Sequence, residues 1–349
     1  MTMQSGNKRN NDSQLNSIIK WGAAGFALAL AAMSVYKALT RFSVEGKVFL
    51  ITGGSRGLGL ELARQLVHRG ARVAICARSG EQLEKARVEL ESLGGDVIAI
   101  EADLTNRREV NALVKQVMAH FGQIDALINN AGIIQVGPQE AMKISDYKSA
   151  MDTNFWAALY TMHAVLPHFL QQGGGRIINI TSIGGKIAVP HLLPYSASKF
   201  ALVGLSEGMH AELKKKNIHV TTVVPNLMRT GSPRNITVKG NHEAEYAWFK
   251  ISGSAPLLSQ SVSSAAKNVI RALEYGEVEA ILGLTTKAAV LLNGIAPGWV
   301  GTLASIANGL LPKYNENDTG VKGKDAESGK SRGRVSSRSD RAAVRNNEM

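Results

Sequence analysis

One cysteine, Cys76, stands in 349 residues, so no internal disulfide can form and the chain fits a reducing compartment. Aromatic residues are scarce, at 5% of the chain, and no basic stripe is interleaved with them. Acidic residues are also short, 28 Asp and Glu against 40 Lys and Arg, a formal net charge of +12. Residues 1–20 carry +2 and residues 313–349 carry +3, leaving +7 on the body. Charge spread in this way excludes a nucleic-acid interface and suits an anionic membrane surface better. His163, His168, His191 and His219 fall without metal-ligand spacing, so no metal site is expected.

Charge is missing altogether from two stretches. Trp21–Tyr36 is rich in Ala and Leu and is bounded by Lys20 and Lys37. As a helix it would span roughly 24 Å, short of a hydrocarbon core of about 30 Å. Ile18, Ile19, Ala38 and Leu39 extend it, with the two lysines reaching for the interface. The sequence therefore predicts a membrane-anchor helix over residues 16–41, after a polar and disordered segment 1–15. A cleavable signal peptide ending at Ala29-Leu30-Ala31 and an amphipathic helix packed on a domain are the alternatives. Basic residues flank both sides, so charge asymmetry fixes no orientation; a cytoplasm-facing body is expected. The second uncharged stretch, 288–312, is interrupted by Gly294, Pro297 and Gly298. It predicts a broken hydrophobic hairpin within a C-terminal segment 286–312, either covering the mouth of a site or dipping into a bilayer. Residues 313–349 are rich in Ser, Lys and Arg and are expected to be a disordered basic tail.

Between these ends, residues 46–285 alternate apolar β-type runs with helical stretches. The runs are Val48–Thr52, Val73–Ala77, Val97–Ala102, Ala126–Asn129, Ile177–Thr181, Val220–Val224 and Ala280–Leu282. Helical patterns such as Leu58–Arg69, Glu81–Leu93 and Arg107–Phe121 separate them. That alternation predicts an α/β fold with a doubly wound parallel sheet, a Rossmann fold. Residues 225–260, with Tyr246, Trp248 and Phe249, follow a strand end where a substrate lid would lie.

The first strand runs straight into Thr52-Gly53-Gly54-Ser55-Arg56-Gly57-Leu58-Gly59, and a helix follows. Glycines at 53, 57 and 59 permit a tight turn and let backbone amides approach a pyrophosphate, to which the helix N-terminus adds partial positive charge. Between a strand and a helix, such a loop is a dinucleotide signal. Further on, Tyr195 and Lys199 stand four apart at the start of a predicted helix, so they share one face. A phenol of pKa about 10 is a poor acid-base group at neutral pH, and a neighbouring cation is expected to lower it.

The spacing Thr-Gly-x-x-x-Gly-x-Gly resembles the short-chain dehydrogenase/reductase family, and the family's other motifs follow in order. Asp103, with Leu104 beside it, resembles the adenine-contacting position after the third strand. Asn129-Asn130-Ala131-Gly132 resembles the motif after the fourth. Asn154, Ser182, Tyr195 and Lys199 match the catalytic tetrad. The resemblance implies that Tyr195 exchanges a proton with a substrate carbonyl and Ser182 orients that oxygen. Lys199 holds the ribose hydroxyls and tunes the phenol, while Asn154 positions a relay water. It implies cofactor contacts at Thr52, Gly53, Ser55, Arg56, Gly57, Leu58, Gly59, Asn130, Ala131, Gly132, Tyr195, Lys199, Pro225 and Thr230. One departure stands after the sixth strand, where Pro225-Asn226 replaces the frequent Pro-Gly.

Charge then selects between cofactors. No acid occurs from Arg69 to Gly80, Ala77 occupies the position that would hold the ribose-binding acid, and Arg56 and Arg78 are available to a 2′-phosphate. The expected protein is an oxidoreductase using NADP(H), with NAD(H) the weaker alternative. Its expected substrate is a lipophilic carbonyl or alcohol: ketoacyl, retinoid-like or steroid-like. A homo-oligomer is expected from the resemblance. An NAD-linked hydroxysteroid-type dehydrogenase and an idle nicotinamide-sensing protein are the other readings.

Overall fold

The computed structural model describes residues 41–349 except 256–258, 334, 335 and 349, together with Trp21 and Gly25. Apolar runs without a polar face become its strands. β1 (Val48–Thr52) is buried at every position, as a strand covered on both faces must be. It leads into α1 (Gly57–Val67), β2 (Arg72–Ala77), α2 (Gly80–Ser92), β3 (Val97–Glu101), α3 (Arg107–Phe121) and β4 (Ala126–Asn129). The pairing of the next half is less regular. A short β5 (Gln135–Val136) precedes α4 (Ile144–Met151), a π-helical turn Asp152–Trp156 and α5 (Ala157–Gln171). Then come β6 (Gly175–Ile180), α6 (Leu193–Leu213), β7 (Ile218–Val224), β8 (Leu227–Arg229) and β9 (Thr237–Val238). Last are α7 (His242–Ser254), β10 (Ser259–Ser261), α8 (Val262–Tyr275), β11 (Glu279–Ile281), α9 (Leu284–Ile295), α10 (Pro297–Asn308), β12 (Val321–Lys322) and α11 (Ser337–Arg345).

Seven strands form one parallel sheet in the order β11-β7-β6-β4-β1-β2-β3. They fall on the seven runs read from the sequence, with ends shifted by one or two residues. The chain winds outward from β1 to β3, then returns to β4 on the other side of β1. That reversal opens a crevice at the carboxyl ends of β1 and β4, where ligands bind in such sheets.

The helices are fixed by apolar stripes and by caps. In α3, Val110, Leu113, Val114, Val117 and Phe121 are buried at helical spacing, and the Asn106 side chain accepts from Arg108 N at 3.0 Å. Each such aliphatic side chain contributes about 1.5–3 kcal/mol by leaving water. A buried polar ladder ties α5 and α6 to the sheet. Thr161 Oγ1 donates to Asn129 Oδ1 at 2.6 Å, Asn129 Nδ2 to Asn179 Oδ1 at 2.9 Å, and Asn179 Nδ2 to Ser206 Oγ at 3.0 Å. Cys76 is buried in β2, and burial pushes its thiol up to about 12, so it is unreactive.

Residues 225–260 build a small second layer beside the sheet. β8 pairs with β10, and β9 lies between β5 and β12. Val136, Leu192, Ile236, Val238, Tyr246 and Phe249 form its core, closed by Ala326 from beyond residue 313. The segment 313–349 therefore differs from the disordered tail expected of its composition: its described residues include β12 and α11. Ion pairs order it. Lys250, 1% exposed in side chain, meets Glu327 at 2.7 Å and Asp340 at 2.8 Å, and Lys143 meets Asp318 at 2.7 Å.

The membrane-anchored localisation expected from the sequence is also corrected. Among the described residues no single helix is long and apolar enough to cross a membrane. The expected anchor, 16–41, lies outside the described residues apart from Trp21, Gly25 and Arg41, as does segment 1–15. The C-terminal segment 286–312, with its uncharged run 288–312, falls on a broken pair of helices, α9 and α10, bent by 120° at Ala296. Asn293 Nδ2 ties α9 to the Lys186 carbonyl at 3.0 Å, just beyond Ser182.

Candidate active site

The glycine loop leaves β1 with Gly53 at φ 63° and Gly57 at φ 58°, a region glycine enters without strain. Gly59 is required for a different reason. A Cβ there would collide with the Gly53 carbonyl oxygen and the Asn130 amide. Thr52 and Asn130 brace the turn. Thr52 Oγ1 accepts from Asn130 N at 2.9 Å and Ala131 N at 3.1 Å, while Asn130 Nδ2 donates to the carbonyls of Thr52 and Gly53 at 3.0 and 3.1 Å. Ser55 and Leu58 are buried in the loop. A loop folded this tightly at a helix N-terminus fits a dinucleotide's pyrophosphate.

Arg78, just past the end of β2, stands close enough to Arg56 in the loop for its charge to be felt there. Burial lowers the Arg56 pKa most, Glu348 raises it, and Arg78 lowers it. Arg56 Nη1 also donates to Asn235 Oδ1 at 2.9 Å. Asp103 turns its carboxylate to Thr105, accepting from its N and Oγ1 at 3.0 and 2.9 Å, and Leu104 is buried behind it.

Tyr195 and Lys199 sit in the first turns of α6. The Lys199 ammonium lies 5.8 Å from the centre of the Tyr195 ring, and its Nζ donates to the Ile180 carbonyl at the end of β6 at 2.9 Å. Ser182, two residues past that strand end, accepts from Gly184 N at 3.0 Å, and its hydroxyl lies close enough to the Tyr195 phenol to act on its pKa. The phenol does not follow the direction expected from its cation. Burial raises the Tyr195 pKa above the ordinary value, opposed by the nearby Ser182 hydroxyl. Burial likewise pushes Lys199 down to about 8, since no carboxylate pairs with its ammonium in these bonds.

Asn154 occupies the π-helical turn between α4 and α5 and is 1% exposed. Such turns concentrate at functional sites. Its Oδ1 accepts from Ile133 N at 2.8 Å, and its Nδ2 donates to Ile133 O at 3.0 Å and Ser198 Oγ at 2.9 Å. A Cβ on Gly132 would lie 2.9 Å from Asn154 Oδ1 and 3.6 Å from Lys199 Nζ. The structure thus gathers Gly132, Asn154 and Lys199 at one point, and Ser182 and Tyr195 at the adjoining one.

The short chain dehydrogenase family profile matches residues 47–239, more than half of the chain. The chain belongs to this family. It is 34% identical over 256 residues to the oxidoreductase SadH of Mycobacterium tuberculosis, covering 72% of this chain and 92% of that protein. It is 35% identical over 274 residues to 11-beta-hydroxysteroid dehydrogenase-like 2 of Arabidopsis thaliana, covering 78% of this chain and 85% of the relative. An actinorhodin polyketide ketoreductase solved with NADPH shares the fold with a TM-score of 0.61 and 30% identity, over 68% of this chain and 96% of that one. The chain is accordingly an oxidoreductase of the short-chain dehydrogenase family, acting between CH–OH and C=O groups with a nicotinamide cofactor.

Against the family pattern, Asn226 needs no left-handed backbone. Its Oδ1 accepts from Leu227 N at 2.8 Å and its Nδ2 donates to Thr285 Oγ1 at 3.1 Å, so its side chain stabilises the turn instead. Pro225 is buried beside it and its carbonyl accepts from Ile183 N at 3.0 Å. Thr230 is 2% exposed and accepts from Ser232 N at 3.1 Å.

The spacing of His191 speaks only against a metal site, and its structural role in the loop before Tyr195 was not legible from it. His191 is 7% exposed with φ 62°, and its Nδ1 lies 2.8 Å from Glu245 Oε1 on α7. Trp248 Nε1 donates to the same carboxylate at 2.7 Å. Glu245, fully buried, thus latches α7 to the loop before Tyr195. Glu245→Ala leaves a buried imidazole and a half-buried indole without this partner and is expected to destabilise the fold by about 1–3 kcal/mol, read from the urea midpoint. An unchanged midpoint would show that the latch bears no weight.

Proposed function

We propose that the protein is an NADP(H)-dependent carbonyl reductase for a lipophilic ketone or aldehyde of ketoacyl, retinoid-like or steroid-like class. In this reading residues 46–285 are the catalytic domain, 225–260 its lid, and the enzyme works as a homo-oligomer, as family members often do. The observation that carries it is the gathering of the Ser182 hydroxyl, the Tyr195 phenol and the Lys199 ammonium, 5.8 Å from that ring, at the carboxyl end of β6 and next to the glycine loop. Bound NADPH supplies the hydride. Ser182 turns its hydroxyl to the substrate carbonyl oxygen and Tyr195 gives that oxygen its proton. Lys199 would hold the ribose hydroxyls, and Asn154, clamped to Ile133, holds the bend of the α4–α5 helix so that a relay water has a fixed partner. Burial keeps the Tyr195 phenol protonated, which favours the donor and therefore the reductive direction.

Arg56 and Arg78 beside Ala77 support the 2′-phosphate. The apolar lid core supports a lipophilic substrate, and the names of the relatives, a ketoreductase and a hydroxysteroid dehydrogenase-like protein, agree with a ketone. Ala77→Asp places a carboxylate where the 2′-phosphate would sit. The ratio of kcat/KM for NADPH over NADH is expected to fall at least about tenfold, a change of ~1.4 kcal/mol. An unchanged ratio would overturn the two-arginine assignment.

A further inference from the structure

The segment Arg345–Glu348 lies on the glycine loop, and the role proposed for it rests on the assignment of that loop to the cofactor. Gly57 N, the first amide of α1, donates to the Asn346 carbonyl at 2.9 Å. Asn347 Nδ2 donates to the carbonyls of Ser55 and Gln82 at 2.9 and 3.1 Å. Arg64 grips the segment from α1, through Nη2 to the Arg345 carbonyl at 2.8 Å and Nη1 to Asn346 Oδ1 at 3.1 Å. Glu348 is 4% exposed. Its Oε2 accepts from Gly231 N at 2.6 Å and its Oε1 from Ser232 Oγ at 3.4 Å. A Cβ on Gly57 would lie 3.3 Å from the same Oε1. The carboxylate therefore bridges the glycine loop and the turn that follows Thr230, with the Arg56 charge in reach. An anion held between a helix N-terminus, a backbone amide and a guanidinium has the surroundings a pyrophosphate needs.

We propose that residues 345–348 are an internal plug of the cofactor cleft. Glu348 stands where the pyrophosphate goes, and the dinucleotide binds only when the segment leaves.

The seat is built to be given up. Asn347 holds φ 56°, a left-handed conformation uncommon outside glycine. Few apolar side chains anchor the segment; Ala343 is the buried one in α11, and the helix is held by the Ser254–Ser339 hydroxyl pair at 2.6 Å and the Lys250–Asp340 ion pair. Burial pushes the Glu348 carboxyl up to about 7 in spite of Gly231, Arg56 and Ser232, so a better-hydrogen-bonded anion can take its place. A cleft open one-tenth of the time weakens apparent affinity about tenfold.

The test is calorimetric titration of NADPH and of NADH into the full chain, a chain lacking residues 345–349, and full-length Asn347→Ala/Glu348→Ala, with circular dichroism confirming the fold of each. Both variants are expected to bind both cofactors about tenfold tighter or better, since both carry the same pyrophosphate. In hydrogen exchange of the full chain, NADPH is expected to protect residues 53–59 and to expose the amides of 346–348. Unchanged or weaker affinity in well-folded variants would overturn the plug. So would protection of 346–348 by NADPH, which would make the segment a wall of the site. A gain confined to NADPH would overturn the pyrophosphate assignment, placing Glu348 at the 2′-phosphate. A reversed NADPH/NADH preference with the gain intact refutes only the cofactor choice. Failure of every form to bind either cofactor refutes the site and the plug together.

Discussion

Tyr195→Phe is expected to lower kcat for carbonyl reduction by about 10²–10⁴-fold or more, the range in which a positioned proton donor acts, with the dissociation constant for NADPH little changed. The ring keeps its shape and its place in α6, so what disappears is the hydroxyl that stands beside Ser182. Binding by titration and turnover by NADPH consumption separate the two effects. Wild-type reduction should fall as pH rises through about 8, where the buried Lys199 ammonium titrates, and the reverse oxidation should rise as the phenol ionises.

Lys199→Met is expected to abolish turnover to a similar extent while sparing stability. Burial lowers the ammonium from 10.5 to about 8, so between those pH values the unfolded chain binds a proton that the folded chain has released. Stability from this group therefore rises with pH across that window and is penalised in full below it. At about 1.4 kcal/mol per pH unit the penalty is about 3 kcal/mol. The bond from Nζ to the Ile180 carbonyl, at 2.9 Å, returns about 1 kcal/mol. The Met variant should therefore match or exceed wild-type stability at pH 7. The wild type should gain on it between pH 8 and 10 in urea unfolding. A Met variant that is less stable at pH 7 by an amount that does not vary with pH would show that Lys199 is a structural cation.

The sheet was legible because its strands are buried on both faces: Val48–Thr52 has no polar side to confuse the pattern. The placement of Tyr195 and Lys199 on one face of α6 near a strand end was legible because helical spacing and motif order announce it. The direction of the Tyr195 shift was not legible, since spacing reveals the neighbouring cation and not the burial that outweighs it. His191 and Glu245 are 54 residues apart, and no local pattern announces that a buried carboxylate waits for a loop histidine. Residues 313–349 misled for a related reason. Their composition is that of a solvated tail, yet Glu327 and Asp340 find Lys250 on the lid, and Glu348 finds the amide of Gly231. The uncharged run at 288–312 was read correctly as broken, the break falling at Ala296 with Pro297 opening the next helix.

The most direct measurement is NADPH consumption by the purified full chain against a panel of acyl, retinoid and steroid carbonyls, run in parallel with Tyr195→Phe. The account predicts carbonyl-dependent consumption with at least one lipophilic class, with NADPH preferred to NADH, and its loss in the Phe variant while NADPH still binds. Consumption that survives in Tyr195→Phe, or binding of NADPH with no carbonyl turned over by the wild type, would contradict it.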